Sequence, residues 1–382
     1  MILSDGIPPY VMGGMQKHSR LMAEYVARLG VKVVLYHCVD DEKELDDEAV
    51  RLSFSELARV NIGVRTFLYR DLGKLPGHYL RAQKQLSKAY FERLLTEEIA
   101  PNFIYTKGFV GSEVLRRRSE LYYKCKIGVK FHGMNMFQKQ PNWKGEVVKY
   151  MLRPSARNIM NAADVVFSYG GKISRIIARY VSKPSKIVEF PSGIASEWIR
   201  KESELQPAHD ELRFLFVGRY DRLKGLPELY KALVLVAHQE WKLTIVGPIP
   251  EKDQLQHPNL EFIGPVYEEE ELKRIYDGHH VLLCPSISEG MPNVIMEAMA
   301  RGLAIIATDV GATQVLVNSE NGWLIPPGDI KAIASAMNAA IDIASYKLGS
   351  MRKVSSDRMR NDFIWEEIAQ RFLRWLEVKV KK

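Results

Sequence analysis

The chain has 382 residues, 46% apolar and 26% charged, with a formal net charge of +8. One hydrophobic core serves about 100 to 200 residues, so two domains are expected, and the balance excludes disordered and fibrous classes. No run approaches the roughly 18 apolar residues that span a bilayer, and the N-terminus has no apolar signal core, which points to the cytoplasm.

The positive charge attracts anions without choosing among nucleotide, phosphorylated substrate, lipid and nucleic acid. Cys38, Cys125 and Cys284 lie far apart without metal-ligand spacing, so reduced thiols are expected, with Cys284 a small core residue. Met1 to Ser4 offers three residues for a first strand, shorter than the usual five or six, so the natural start is expected upstream. Apolar runs suited to buried strands follow at Lys32 to Tyr36, Phe103 to Thr106, Ile127 to Phe131, Val165 to Ser168 and Lys186 to Phe190. A second series runs through Arg213 to Val217, Leu243 to Val246, Val281 to Cys284 and Leu303 to Ala307. Amphipathic stretches separate the strands, and this alternation predicts parallel sheets wrapped by helices, built twice. The polar stretch Lys201 to Asp210 has linker composition and sets the expected boundary: domains 1–200 and 201–382. From Asp362, apolar residues at Ile364, Ile368, Phe372 and Trp375 or Leu376 mark one helical face, predicting a closing helix over about 362–379 that packs on the first domain.

Chemistry concentrates between residues 218 and 302. Pro285 to Gly302 follows an apolar strand and opens a helix near Pro292, a residue suited to the first turn. The free amides and positive dipole end of a helix start seat a phosphate. Gly290 lets backbone approach a ligand. Glu289 in the loop and Glu297 in the helix form a carboxylate pair suited to vicinal hydroxyls, or else decorate a solvated face. Val217-Gly-Arg-Tyr-Asp-Arg-Leu-Lys-Gly225 places Arg219 and Lys224 on the loop leaving another strand. Ligands of open α/β sheets bind outside the carboxyl ends of strands, so both loops should converge on a diphosphate site.

These residues resemble the retaining glycosyltransferases of family 4, with the GT-B fold: two Rossmann-like domains facing each other across a cleft, and a C-terminal helix returning to the first. The resemblance rests on Gly218-Arg219 with Lys224-Gly225, on Glu289 and Glu297, and on Glu297-Ala-Met-Ala-Arg-Gly302 with its following strand. Pro8 to Gly14 looks like the family's glycine loop, Phe190 to Ile194 like the turn ending its first domain, and Phe363 to Leu376 like its closing helix. The resemblance implies that Arg219 and Lys224 bind the donor diphosphate, Glu297 the ribose and Glu289 the transferred sugar. Amides of Gly290, Met291, Asn293 and Val294 would meet phosphates and sugar hydroxyls. Gly13 and Gly14, otherwise an ordinary tight turn, would close on the donor phosphate, and Gly218 would belong to the donor site. His132, after the strand ending at Phe131, would lie near sugar and acceptor, whereas His18 is expected to pack. Catalytic roles fall to His132, Glu289, Arg219 and Lys224.

The expected reaction is transfer of a sugar, of the hexosyl type, from a nucleotide diphosphate sugar to a hydroxyl acceptor, with retention. No cofactor or metal is expected. Bacterial polysaccharide or glycolipid assembly is the setting the resemblance implies, with an acceptor that can be lipid-linked. The chain departs from the family at Gly311-Ala-Thr-Gln-Val315, which lacks an acid that many members carry, and at Ser192, where asparagine is common. A sugar-nucleotide epimerase of the same fold is the alternative. A nicotinamide-dependent oxidoreductase lacks a Gly-x-Gly-x-x-Gly after a first strand. Arg116 to Arg118, with Tyr122, Tyr123, Lys124, Lys126 and Lys130, offers a basic cluster for peripheral membrane contact or a phosphorylated acceptor, the alternative being a solvated face. The helix predicted over Gly145 to Ala162 can add an apolar anchor or face the core. No nucleic-acid-binding module is recognisable.

Overall fold

A computed structural model describes residues 1–70, 73, 77–201, 211–237 and 240–380. The expected linker at 202–210 lies outside the described residues. By its internal contacts the chain forms two compact units, one of residues 1–137, 144–192 and 365–382, the other of residues 138–143 and 193–364.

The first unit holds a seven-stranded sheet: β1 (Ile2–Leu3), β2 (Val33–Val39), β3 (Ile62–Leu68), β4 (Phe103–Lys107), β5 (Lys126–Lys130), β6 (Val165–Ser168) and β7 (Ile187–Glu189). Their order is β3-β2-β1-β4-β5-β6-β7, and every pairing is parallel. Short as it is, β1 is central, with Ile2 opposite Leu35 on one side and Tyr105 on the other. The last helix, Trp365–Val380, belongs to this unit. Phe372 stands 5.6 to 6.5 Å, centroid to centroid, from Phe103, Tyr105, Phe167 and Phe190, and Trp375 lies 5.2 Å from Phe167. The predicted apolar face is thus built as expected from Ile368 onward. Ile364 instead bridges Ile194 in the second unit.

The second unit carries β8 (Leu212–Val217), β9 (Trp241–Val246), β10 (Leu260–Ile263), β11 (Val281–Cys284), β12 (Ala304–Thr308) and β13 (Gly322–Ile325). These too are parallel, in the order β10-β9-β8-β11-β12-β13. Parallel strands are covered on both faces, which requires near-continuous apolar runs. Phe214, Phe216, Leu243, Ile245, Leu283 and Ile306 accordingly sit in one buried core with Leu229 and Met337 from the covering helices. Both units are Rossmann-like, the architecture of the GT-B fold. Cys284 is buried as expected, and all three cysteines are unpaired.

In each sheet the direction of strand succession reverses once, between β1 and β4 and between β8 and β11. Loops leaving the two strands at such a reversal part to opposite faces and open a crevice at the strands' carboxyl ends.

Candidate functional site

At the switch point of the second unit, the loop leaving β8 carries Arg219 and Lys224, and the loop leaving β11 carries Glu289. The loops are held together tightly. Gly225 has φ 74°, and a Cβ there would lie 2.0 Å from the Pro285 carbonyl oxygen, so only glycine allows this approach. The Ile287 amide donates to the Leu223 carbonyl at 2.8 Å. Across this seam Lys224 Nζ donates to Glu289 Oε1 at 2.7 Å, and Ser286 Oγ donates to the same oxygen at 2.8 Å. Burial works against the Lys224 ammonium, but the neighbouring Glu289 outweighs it and holds the amine above its ordinary pKa. Arg219 is exposed, and among the described residues it pairs with no carboxylate. Gly218 closes the strand end, its amide donating to the Val246 carbonyl at 3.0 Å.

Pro292 is the N-cap of the helix Asn293–Ala300, and no side chain caps it. With prolines and glycines around the turn and no Ser, Thr or Asp at the cap, the first-turn amides of Asn293 and Val294 remain for an anion. Met291 is buried, and the Gly290 carbonyl accepts from the Ala312 amide at 2.7 Å. Gly311, at φ 55°, makes that contact possible, since a Cβ there would lie 2.3 Å from the Glu289 carbonyl oxygen. The segment that lacks the family's acid therefore supports the Glu289 loop through backbone. Gln138 Nε2 donates to the Glu289 carbonyl at 2.9 Å.

Glu297 is 7% exposed and accepts from Tyr276 Oη at 3.1 Å. Burial, then Glu297, raise the Tyr276 phenol well above its ordinary pKa, so it stays a donor. One turn on, Arg301 forks onto Asp277, Nε to Oδ1 at 2.7 Å and Nη2 to Oδ2 at 2.5 Å, and donates to the Trp198 carbonyl at 3.2 Å. The arginine of Glu297-Ala-Met-Ala-Arg-Gly302 thus braces the helix. The structure gathers Gly218, Arg219, Lys224, Glu289, Gly290, Met291, Asn293, Val294 and Glu297 at one end of one sheet.

Gly13, Gly14 and His132 belong to the first unit, at the carboxyl end of its own sheet. Gly13 caps and Gly14 opens the helix Gly14–Arg28, again without a side-chain cap. Lys107, at the end of β4, sends Nζ to His18 Nδ1 at 2.6 Å and to His132 Nε2 at 2.8 Å. His132 Nδ1 meets Tyr169 Oη at 2.5 Å. Burial, then the neighbouring Lys107 and Lys130, push both imidazoles well below the usual histidine range. Neutral imidazoles each offer one lone pair, so Lys107 donating to both would put the His132 proton on Nδ1, facing Tyr169. His18 packs, as expected, edge-on to Trp365 at 5.1 Å.

One member of the expected basic cluster is not at the surface. Lys130 is 1% exposed, donating to the Phe190 carbonyl at 2.7 Å with its ammonium 3.8 Å from the Tyr169 ring centroid. Arg116 pairs with Glu113, Arg117 with Glu120 and Arg118 with Asp164. These carboxylates neutralise the run locally.

Sequence reasoning missed Ser286, Tyr276, Lys107 and Tyr169. A lysine ending an otherwise apolar strand, as in Phe103-Ile-Tyr-Thr-Lys107, was the available signal for one of them. Tyr276 gave none, because its partner lies 21 positions away.

Comparison with known proteins agrees with this geometry. The family model described as Glycosyltransferase Family 4 matches residues 12–198, and that described as Glycosyl transferases group 1 matches residues 211–342. The capsular polysaccharide biosynthesis glycosyltransferase CapM of Staphylococcus aureus is 30% identical over 42% of this chain and 46% of its own length. The amylovoran biosynthesis glycosyltransferase AmsK of Erwinia amylovora is 28% identical over 39% of this chain and 42% of its own. The matches thus span less than half the length of these relatives. Among solved structures, a sucrose-phosphate synthase from Thermosynechococcus elongatus superposes with TM-score 0.80 at 20% identity, covering 100% of this chain and 99% of that one. Anabaena HepE in complex with UDP-glucose superposes with TM-score 0.68 at 16% identity, covering 99% of this chain and 100% of its own. With a model matching each half and a shared fold throughout, the chain belongs to the group 1 glycosyltransferases.

Proposed function

We infer that the protein transfers a glycosyl group from a nucleotide diphosphate sugar to a hydroxyl acceptor, with retention at the anomeric carbon and without a metal. The observation that carries this reading is the Lys224 to Glu289 pair beside the uncapped start of the helix Asn293–Ala300. In the reaction the bond from the anomeric carbon to the diphosphate oxygen breaks, and a bond to the acceptor oxygen forms. Arg219, Lys224 and the amides of Gly290, Met291, Asn293 and Val294 stabilise the charge left on the diphosphate. Two fixed cations supply what a divalent ion gives elsewhere. The acceptor proton goes to the departing phosphate oxygen on the same face, which leaves no need for a side-chain base. Both ring nitrogens of His132 are already engaged in its own unit, which supports that route.

Glu297 takes the ribose hydroxyls and Glu289 the transferred sugar. The unit of residues 138–143 and 193–364 is the donor domain, and that of residues 1–137, 144–192 and 365–382 the acceptor domain, to which the expected bounds 201–382 and 1–200 are corrected, with Gly13 and Gly14 closing on donor phosphate and His132 meeting the acceptor. The setting is bacterial polysaccharide or glycolipid assembly at the cytoplasmic face of a membrane, with a lipid-linked acceptor and a UDP-sugar donor. CapM and AmsK are named for polysaccharide synthesis and HepE holds UDP-glucose, which supports both parts. The test is release of nucleoside diphosphate from a panel of nucleotide sugars with lipid-extract acceptors, in the presence of chelator. Acceptor-dependent release with label in the lipid supports the transferase. Sugar isomerisation with no acceptor consumed would establish an epimerase instead.

A further inference from the structure

The helix Trp143–Ala162 follows β5, and its first half turns its side chains the wrong way round for a soluble surface. Two of its basic residues turn inward: Lys149 is 8% exposed and pairs with Glu146, and Arg153 Nε donates to the Met136 carbonyl at 2.7 Å. Its apolar residues face outward. Trp143, Val147, Tyr150 and Met151 fall at helical spacings of four, seven and eight, share one face, and are all exposed, Trp143 at 71%. Lys144 and Arg157, both exposed, flank that face.

A second helix, His78–Leu94, adjoins it. A methyl group on Gly77, its N-cap, would lie 3.5 Å from both Met151 Cε and Arg81 Nη1. This helix exposes Arg81, Lys84 and Lys88 along one side. Its sequence holds four Lys or Arg against Glu92 alone, and the helix Trp143–Ala162 holds four against Glu146 alone. Both helices start at the carboxyl end of the first sheet, the end that carries Lys107 and His132.

We propose that this face, the apolar ridge Trp143–Val147–Tyr150–Met151 bordered by Arg81, Lys84, Lys144 and Arg157, docks the protein on an anionic lipid bilayer. Apolar side chains enter the interface while basic ones meet phosphate headgroups, the combination that gives stable peripheral binding. A second copy of the chain is disfavoured as the occupant, since a two-fold contact would set one excess of positive charge against another. The bilayer is the partner that the proposed transfer to a lipid-linked acceptor requires, and in purpose, though not in chemistry, the assignment rests on that reading. No described helix is long and apolar enough to cross a membrane, so the contact is peripheral.

The test is co-sedimentation of the full chain with phosphatidylcholine vesicles, with and without phosphatidylglycerol, in the absence of nucleotide and acceptor. Binding is expected only with phosphatidylglycerol, and it should weaken as salt rises. Arg81→Gln with Lys84→Gln should weaken it about fivefold per charge removed, and Val147→Ser with Met151→Ser by about tenfold or more. All four side chains are exposed, so melting temperature and nucleotide response should stay at the wild-type values. No binding to anionic vesicles, equal binding to neutral ones, or undiminished binding by both variants overturns the proposal. So does a face that sediments as a dimer interface and loses only dimerisation in the variants. Vesicle binding that persists in a protein with no transferase activity would refute the functional reading and leave this surface standing.

Discussion

Lys224 Nζ and Glu289 Oε1, 65 positions apart in sequence, lie 2.7 Å apart at the switch point of the second sheet. The carboxylate holds the ammonium at the strand ends, and on the proposed reading it aims the cation at the donor diphosphate. Lys224→Ala should lower kcat/KM at least about 100-fold, and Lys224→Arg should recover part of that loss. Arg219 is exposed and pairs with no carboxylate among the described residues, so Arg219→Ala should cost donor affinity with no measurable change in melting temperature. Steady-state kinetics beside thermal unfolding check both.

The Tyr276 to Glu297 bond predicts a different signature. Tyr276→Phe removes one donor from the buried Glu297 carboxylate and should destabilise the fold by about 1 to 3 kcal/mol. If Glu297 holds the ribose, the same change raises the donor KM more than it lowers kcat. A variant whose kcat falls while KM stays constant would place Glu297 in the chemical step instead.

Gly311 tests the support of the Glu289 loop by backbone. Gly311→Ala must displace the Glu289 and Gly290 carbonyls or abandon φ 55°, and should cost about 2 to 4 kcal/mol together with most activity. An alanine variant with wild-type stability and turnover would show that the loop tolerates movement.

How much of this was legible in the sequence follows from burial. The strands read correctly are mostly continuous apolar runs, covered on both faces. Unread β3, β10 and β13 are all edge strands with half-exposed residues, such as Leu260-Glu-Phe-Ile263, whose pattern loses that signal. The donor loops were legible because glycine, proline and charge cluster locally. The Lys107, His18, His132 and Tyr169 array was not, since four separate segments supply it and only the fold joins them. Lys130 misled for the same reason: beside Lys124 and Lys126 it reads as surface charge, yet strand register places it opposite Lys107 in the sheet interior.

Buried histidines set the pH response. His18 is pushed well down by burial, and His37 to about 4. Unfolded histidines titrate near 6.5, so as pH falls below that value the unfolded chain takes up protons that the folded one refuses. Stability should therefore drop between about pH 6.5 and 4, by about 1.4 kcal/mol per pH unit for each such histidine. Asp5, raised to about 6 by burial, opposes this in part, because the folded state binds its proton first as pH falls. Guanidinium unfolding at pH 7 and pH 5 should show the lower midpoint at pH 5; equal midpoints would mean that the imidazoles are charged in the fold.

The most direct test of the central claim is thermal unfolding of the wild type and of Lys224→Met with UDP, GDP, ADP, TDP and CMP, and with NAD and NADP, each with and without chelator. Ligands that prefer the folded state raise its melting temperature. The account predicts a chelator-insensitive rise with one nucleoside diphosphate, abolished in Lys224→Met, and no response to NAD or NADP. A rise with NAD or NADP alone, or a nucleoside diphosphate response that survives Lys224→Met undiminished, would contradict it.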